Sequence, residues 1–155
     1  MHAGKLVAAI GGIAVIAVAT AHGAIRPAQT GPAQIRITDV QMSYALLRGR
    51  RGSHGAGSIE LVKQSLYNPS LSSKPIGRAT LMCTYFDAHD RACSGTYFLP
   101  KGALVVSGAI QSRLLYQIAV VGGTGLYDNA RGTLTVTSTG LRPKRREVLL
   151  FRLTG

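Results

Sequence analysis

Residues 118–139, IAVVGGTGLYDNARGTLTVTST, decide the fold, because two strand-like runs flank a glycine-rich segment there. The run at 114–121 before the glycines is largely apolar, and after them Leu134 and Val136 alternate with threonines. A period of two is the repeat of a β-strand with one buried face. The glycines favour a sharp turn with glycine at positive φ. The stretch therefore predicts two strands joined by a tight turn.

Similar runs recur along the rest of the chain, about every ten to fifteen residues. Breaks rich in Gly, Pro and Ser separate them, and no segment after the N-terminal run has a helical period. Short strands at this spacing predict an all-β domain, either a closed barrel or a sandwich. The predicted strands are 34–40, 44–47, 58–67, 77–86, 92–99, 103–111, 114–121, 132–139 and 147–153.

Two of these strands, 114–121 and 148–153, are apolar on both faces. A solvated barrel wall needs an apolar face only on its inner side. We therefore expect the outer face to be covered, either by a terminal segment of the chain or by another subunit.

The N-terminus has the pattern of an export signal. Lys5 ends a short cationic start, residues 6–18 are apolar or Gly, and small residues follow up to Gly23. The alternative is a membrane anchor, but a span needs about 18 or more apolar residues. The protein is therefore predicted to be secreted or extracytoplasmic. The predicted organisation is a signal peptide at 1–23, a flexible lead-in at 24–33 and a folded domain at 34–155.

Cys83 and Cys93 are the two cysteines of the chain, and they flank a turn-like segment at 87–91. Export would bring them into an oxidising compartment, which favours a disulfide. A short loop centred on Ala88 would place the two cysteines opposite each other on neighbouring strands. The alternative is a free catalytic thiol close to His89.

Sites for phosphate, metal and nucleic acid are disfavoured. The segment from Gly122 to Gly132 lacks the Lys of a phosphate loop and the third glycine of a dinucleotide fingerprint. Asp87, His89 and Asp90 have no recognised metal-ligand spacing, so no metal is expected. The formal charge of +12 names no partner by itself, but the export signal, the absence of Trp and the lack of aromatics in the basic loops favour an anionic surface over nucleic acid. The basic loop residues are Arg48, Arg50, Arg51, Arg142, Lys144, Arg145 and Arg146.

Four segments, 73–79, 95–102, 106–108 and 118–132, together resemble the allene oxide cyclase and dirigent barrel superfamily. The last of them is the most specific, because dirigent proteins carry a similar Gly-Gly-Thr-Gly, aromatic, Ala-Arg-Gly run. The resemblance extends from about Tyr44 to Gly155. The residues that carry the motif here are Gly122, Gly123, Thr124, Gly125, Ala130, Arg131 and Gly132.

The resemblance implies an eight-stranded antiparallel β-barrel, commonly a trimer, with an apolar cavity and no metal or organic cofactor. Members of the superfamily hold a reactive intermediate in one conformation while it closes a ring or couples. Allene oxide cyclases isomerise an unstable fatty-acid epoxide, and dirigent proteins orient phenoxy radicals made elsewhere.

The chain departs from the cyclase pattern in its first strand. The cyclases have Tyr-Glu-Ile-Asn where this chain has Tyr44-Ala45-Leu46-Leu47, so Ala45 replaces the carboxylate. Their later Pro is replaced by His54. No counterpart of the paired acidic residues of dirigent cavities is expected either. In this interpretation Asp39 precedes the strand, and the remaining aspartates, Asp87, Asp90 and Asp128, lie in turns.

Tyrosines are the predicted ligand-binding residues, because a Tyr hydroxyl inside an apolar barrel needs a partner and could orient a carbonyl or phenol. Each could also be a wall residue with its hydroxyl at the rim. His54 and Tyr44 are the candidates for acid or base chemistry. The predicted ligand-binding residues are Tyr44, Tyr85, Tyr97 and Tyr116.

Two functions therefore remain in consideration. The first is a secreted homo-oligomeric barrel that binds an apolar small molecule and steers its cyclisation or coupling without a cofactor. The second is a non-catalytic, envelope-associated scaffold whose basic loops bind an anionic polymer or lipid.

Overall fold

The computed structural model describes residues 33–49, 54–70, 74–111, 114–140 and 145–154. The predicted signal peptide and nearly all of the predicted lead-in lie outside these residues. No helix in the described ranges is long and apolar enough to cross a membrane. The strands are β1 Gln34–Leu47, β2 Ile59–Tyr67, β3 Gly77–Tyr85, β4 Arg91–Leu99, β5 Gly102–Ile110, β6 Leu115–Gly125, β7 Arg131–Ser138 and β8 Arg146–Thr154.

The eight strands form one closed antiparallel barrel. Each strand pairs with the next along the chain, and β8 returns to pair with β1 over seven residue pairs from Gln34 with Arg152 to Val40 with Arg146. Closure leaves no free edge strand, because every strand pairs with a neighbour on both sides. The predicted eight-stranded antiparallel barrel is confirmed.

The prediction of separate strands at 34–40 and 44–47 was wrong. Both belong to β1, whose register against β2 shifts between Gln41 and Ser43. A β-bulge inserts one residue on one strand, so it changes which residues face inward. Asp39 lies opposite Leu66 and Tyr44 opposite Val62, both of which are inward positions on β2.

The prediction of a turn at the first glycines of the motif was also wrong. Strand β6 continues to Gly125, and the turn follows at 126–129. Within the motif Gly125 and Gly132 have positive φ, 64° and 141°. Gly123 is needed for another reason, because a Cβ there would lie 2.1 Å from the carbonyl oxygen of Tyr127. The turn therefore folds back tightly against β6, and the Tyr127 side chain is buried.

The interior of the barrel has two chemically different ends. We call the end where β2 finishes and β3 begins the apolar end, and the opposite end, where β1 finishes and β2 begins, the polar end. The rings of Tyr97 and Phe151 meet edge to face at 5.2 Å within the apolar packing. Both side chains are fully buried. Their neighbours in the core cluster include Leu66, Ala79, Leu104, Leu134, Leu149, Leu153 and Tyr127.

The predicted disulfide is confirmed. Cys83 on β3 and Cys93 on β4 are register partners and form a disulfide inside the barrel. The described residues contain no free cysteine, which excludes the catalytic thiol. In the turn between them, Asp87 Oδ1 accepts hydrogen bonds from the backbone N–H of His89 (2.7 Å) and Asp90 (2.8 Å). These bonds hold the pKa of Asp87 below its usual value, and they give this carboxylate a structural role in the turn.

Apolar side chains also lie on the outer surface. Leu115 and Val121 on β6 are exposed, as are Leu61 and Met82, which are register partners on β2 and β3. The predicted apolar outer face of β6 is therefore present. Homo-oligomerisation through such a face stays a prediction.

A polar cavity at one end of the barrel

A cavity of about 30 Å³ lies inside the polar end. It is large enough for about two water molecules or one small polar group. Carboxyl, amide and guanidinium groups share its wall with apolar side chains. The lining residues are Asp39, Gln41, Glu60, Val62, Gln64, Leu81, Cys83, Arg91, Ile110, Tyr116, Arg145 and Glu147.

Two buried carboxyl groups stand side by side in this cavity. Asp39 on β1 and Glu147 on β8 are direct register partners. The backbone N–H of Glu147 donates to Asp39 Oδ1 at 3.1 Å. The Gln64 amide bridges the pair, donating to Asp39 Oδ2 at 2.5 Å and to Glu147 Oε2 at 3.5 Å. Two adjacent carboxyl groups in a buried site disfavour double ionisation.

The two members of the pair have different electrostatic surroundings. Burial, and then the neighbouring Glu147, raise the pKa of Asp39 to about 8. Burial also raises the pKa of Glu147, but Arg145 opposes this with an ion pair of 2.7 Å between Nη2 and Oε1. These surroundings favour the protonated form of Asp39 and the ionised form of Glu147. The site places an acid beside a base.

This carboxyl pair corrects the expectation that the cavity has no paired acidic residues. Asp39 lies within β1, and its partner Glu147 was missed. The alternation of inward and outward residues along each strand contained a signal for both carboxyl residues. Asp39 lies on the same face of β1 as Ile35 and Ile37, and Glu147 lies on the same face of β8 as Leu149. The expectation failed because β1 was interpreted as two strands.

Three residues predicted as functional meet at the rim of the polar end. Tyr44 Oη and His54 Nε2 lie 3.2 Å apart, with the donor set by the histidine tautomer. The His54 ring contacts the Tyr85 ring edge to face at 5.1 Å. The buried Tyr85 hydroxyl donates a hydrogen bond to the Glu60 carboxylate. A chain of polar side chains thus runs from the exposed Tyr44 to the cavity wall.

The other two predicted tyrosines lie at different depths. Tyr116 lines the cavity, and burial raises its pKa, so its hydroxyl stays protonated at physiological pH. Tyr97 is packed against Phe151 and is not part of the cavity lining. Ligand contact by these tyrosines stays a prediction.

The three basic loop residues that the structure describes have different surroundings. Arg145 faces the cavity and pairs with Glu147, whereas Arg146 begins β8 and Arg48 is exposed just after β1. Arg50, Arg51, Arg142 and Lys144 lie outside the described residues. In the motif, Arg131 Nη1 donates to the carbonyl of Ala130 at 2.9 Å. Contact of the basic loops with an anionic surface stays a prediction.

Comparison by sequence finds no match, either to a family model or to a curated protein. Comparison by structure finds three kinds of similar barrel. A pyocyanin demethylase has a TM-score of 0.67 at 20% identity, covering 78% of this chain and 99% of its own. A pterocarpan synthase dirigent protein has a TM-score of 0.65 at 16% identity, covering 86% and 96%. A Diels–Alderase from Streptomyces koyangensis has a TM-score of 0.62 at 17% identity, covering 78% and 64%.

At these identities the comparisons establish the fold alone. The barrel predicted from the resemblance is the barrel of dirigent proteins, and it is shared with proteins named for other chemistries. Function must therefore be argued from the cavity.

Proposed function

We propose that this barrel binds a small organic molecule, with a polar part in the cavity, and steers its cyclisation or coupling. The observation that carries the proposal is the buried Asp39–Glu147 pair, which places two carboxyl groups next to each other inside the cavity, one of them ion-paired with Arg145. The solved structures named as a dirigent protein and a Diels–Alderase lend support, since they share this barrel.

The pair suits an isomerisation, in which no atom is gained or lost. Asp39 gives its proton to one atom of the substrate while Glu147 takes a proton from another. A proton then returns from Glu147 to Asp39, its register partner, and the pair is restored. This cycle consumes no oxidant or reductant. For radical coupling, the radicals are formed elsewhere and the cavity contributes orientation.

The cavity wall strengthens these electrostatic effects. Val62, Leu81 and Ile110 contribute apolar surface beside the charged groups. Apolar walls lower the local dielectric response, so each hydrogen bond to the substrate counts for more than in water. Because the cavity holds only a small group, the apolar remainder of the ligand would lie at the rim near Tyr44 and His54.

The test is conversion of an unidentified substrate by purified protein. Wild type is incubated with a small-molecule extract of the producing organism and its culture medium, and products are followed by liquid chromatography and mass spectrometry. The double variant Asp39→Asn, Glu147→Gln removes both acid and base. Asp128→Asn is the matched control, because Asp128 is exposed in the turn after β6.

We expect wild type and the control to convert a compound to a product of the same mass, or to couple one compound with a fixed stereochemistry. The double variant should show neither the conversion nor the stereochemical control. Equal conversion by the folded double variant would overturn the role of the pair. Release of a bound but unchanged compound from wild type, with no conversion, would overturn catalysis and leave a carrier.

Export is part of the same proposal. The predicted signal peptide at 1–23 would be removed, and the mature protein would reach an oxidising compartment where the Cys83–Cys93 disulfide persists. Intact-mass measurement of exported protein would show a chain shortened near Gly23. A full-length mass would contradict the cleavage.

A further inference from the structure

Two buried polar atoms of the cavity wall have no hydrogen-bond partner among the described residues. They are Gln64 Oε1, an acceptor, and Arg91 Nε, whose hydrogen is a donor. Gln64 is 6% exposed and Arg91 5% exposed, and both line the cavity. An unpaired buried polar group costs about 1–3 kcal/mol. Such groups are therefore normally satisfied by water or by a ligand.

Arg91 is also a buried cation without a close counterion. No carboxylate of the described residues lies within 4 Å of it, whereas Glu147 is already paired with Arg145 at 2.7 Å. Its guanidinium lies 5.7 Å from the centroid of the Tyr85 ring. The Glu60 carboxylate has the Tyr85 hydroxyl as its donor. The acidic groups of the cavity thus have partners of their own, whereas Arg91, which lines the same cavity, has an N–H without one among the described residues.

The two unpaired atoms are complementary to one kind of ligand group. Arg91 Nε–H needs an oxygen that accepts a hydrogen bond, and an ionised oxygen is the strongest acceptor for a guanidinium. Gln64 Oε1 needs an O–H or N–H donor. A neutral hydrocarbon could meet neither requirement.

We infer that Arg91 and Gln64 form an oxyanion head-group site, which selects organic acids that carry an ionised oxygen together with a hydroxyl or N–H donor. This rests on the proposed function, since it names the substrate class of the same cavity. The ionised oxygen is that of a carboxylate or a phenolate, and the head group enters the cavity while the rest of the molecule stays at the rim. In a reaction, Arg91 would then stabilise negative charge on the substrate oxygen beside the Asp39–Glu147 pair.

Three small probes test the site without knowledge of the natural ligand. Acetate carries the ionised oxygen, acetamide is its neutral isostere, and glycolate adds one hydroxyl for Gln64. Binding is followed by NMR through the Nε–H resonance of Arg91, assigned by its loss in Arg91→Gln. Arg152→Gln is the matched control, because Arg152 is an exposed arginine on β8.

We expect acetate to shift the Arg91 Nε–H signal and to bind about tenfold more tightly than acetamide. Glycolate should bind more tightly still, and Gln64→Leu should remove its advantage over acetate. Arg91→Gln should abolish the preference for acetate, and Arg152→Gln should retain it. Equal affinity of wild type for acetate and acetamide would overturn the inference, and so would an Arg91 Nε–H signal that stays unmoved at saturation because water alone fills the site.

4-Nitrophenol distinguishes the two sources of the oxyanion. Its ionised form is coloured, so binding of the phenolate at a pH below the pKa of the free phenol raises the absorbance. A rise with wild type and not with Arg91→Gln assigns phenolates to the site. If acetate shifts the Arg91 Nε–H signal and 4-nitrophenol gives no rise in absorbance, the site is assigned to carboxylates. A response to neither compound overturns the site.

The result of the anion-binding test can be distinguished from the result of the conversion test of the proposed function. Conversion of an extract compound without any response to these anions would keep the catalytic pair and reject the head-group site. Anion selectivity that depends on Arg91, without conversion of any compound, would keep the site and reject the catalysis.

Discussion

The two ends of the barrel interior are built from the same strands and differ in what those strands bury. On β8, Glu147 and Phe151 both face inward, but Glu147 meets Asp39 and Arg145 while Phe151 meets Tyr97. A closed barrel tolerates both environments because strand pairing uses backbone groups, whichever side chains face inward. The apolar end stabilises the fold through buried surface. The polar end costs stability, which is the usual mark of a functional site.

The largest expected effect is at the apolar end. Phe151→Ala should destabilise the protein by about 3–5 kcal/mol, because it removes a fully buried ring and its edge-to-face contact with Tyr97. Chemical denaturation measures the loss. The free energy of unfolding of Phe151→Ala should depend on pH in the same way as that of wild type. A loss below about 1 kcal/mol would mean that the apolar end is not the stabilising half.

The next effect is the pH dependence of stability at the polar end. Folded Asp39 keeps its proton up to a pKa of about 8, whereas an unfolded aspartate loses it near pH 4. Between these values the unfolded chain binds fewer protons, so the free energy of unfolding should fall as pH rises, by up to about 1.4 kcal/mol per pH unit. Above pH 8 the contribution of Asp39 becomes constant.

Asp39→Asn should flatten this slope between about pH 5 and 8 and make the variant relatively more stable at pH 8. Denaturant titrations at several pH values provide the measurement. Asp128→Asn, in an exposed turn, should keep the wild-type slope. An unchanged slope in Asp39→Asn would show that Asp39 titrates normally and would remove the electrostatic contrast between the two ends.

Two glycines, Gly125 at the apolar end and Gly140 at the polar end, extend the comparison to the turns. Gly125 and Gly140 have nearly the same φ, 64° and 67°, but a Cβ would lie 2.5 Å from the Lys101 carbonyl oxygen at Gly125 and would contact nothing within 4 Å at Gly140. Gly140→Ala should cost about 1 kcal/mol for the backbone conformation, and Gly125→Ala about 2–3 kcal/mol. Thermal unfolding compares them. Equal losses would mean that the close approach at Gly125 relaxes without cost.

The smallest effect is at the rim of the polar end. Tyr44→Phe removes the 3.2 Å contact with His54 but leaves the exposed ring in place. Because solvent replaces the lost hydrogen bond, we expect a loss of about 0.5–1 kcal/mol by chemical denaturation. A loss as large as that of Phe151→Ala would place Tyr44 in the stabilising core and break the division between the two ends.

Local patterns predicted the parts of this protein that depend on neighbouring residues. Alternation located the strands, and the short turn centred on Ala88 placed Cys83 opposite Cys93. The glycine motif was recognised, but its turn was predicted too early. A run of glycines indicates backbone freedom without showing where the chain reverses, and here Gly122 and Gly123 stay in β6.

The candidate site was only partly predictable. Tyr44, His54, Tyr85 and Tyr116 were named from the sequence, and three of them meet at the rim. The groups that define the cavity were missed, since Gln64 and Arg91 each look like ordinary surface residues in a strand pattern. Their significance depends on burial and on Gln64 Oε1 and Arg91 Nε lacking a partner within the described residues, neither of which a single strand reveals.

By itself the sequence determined the period of two, the number and spacing of the strands to within one, and the pairing of the cysteines, because these depend on contacts between residues near each other in the chain. Tertiary structure alone decided which side chains share the cavity. Asp39 and Glu147 are 108 residues apart and meet only because β8 closes the barrel against β1. The bulge in β1 then turns Tyr44 inward. Closure and register arise from the whole sheet, so no local pattern contains them.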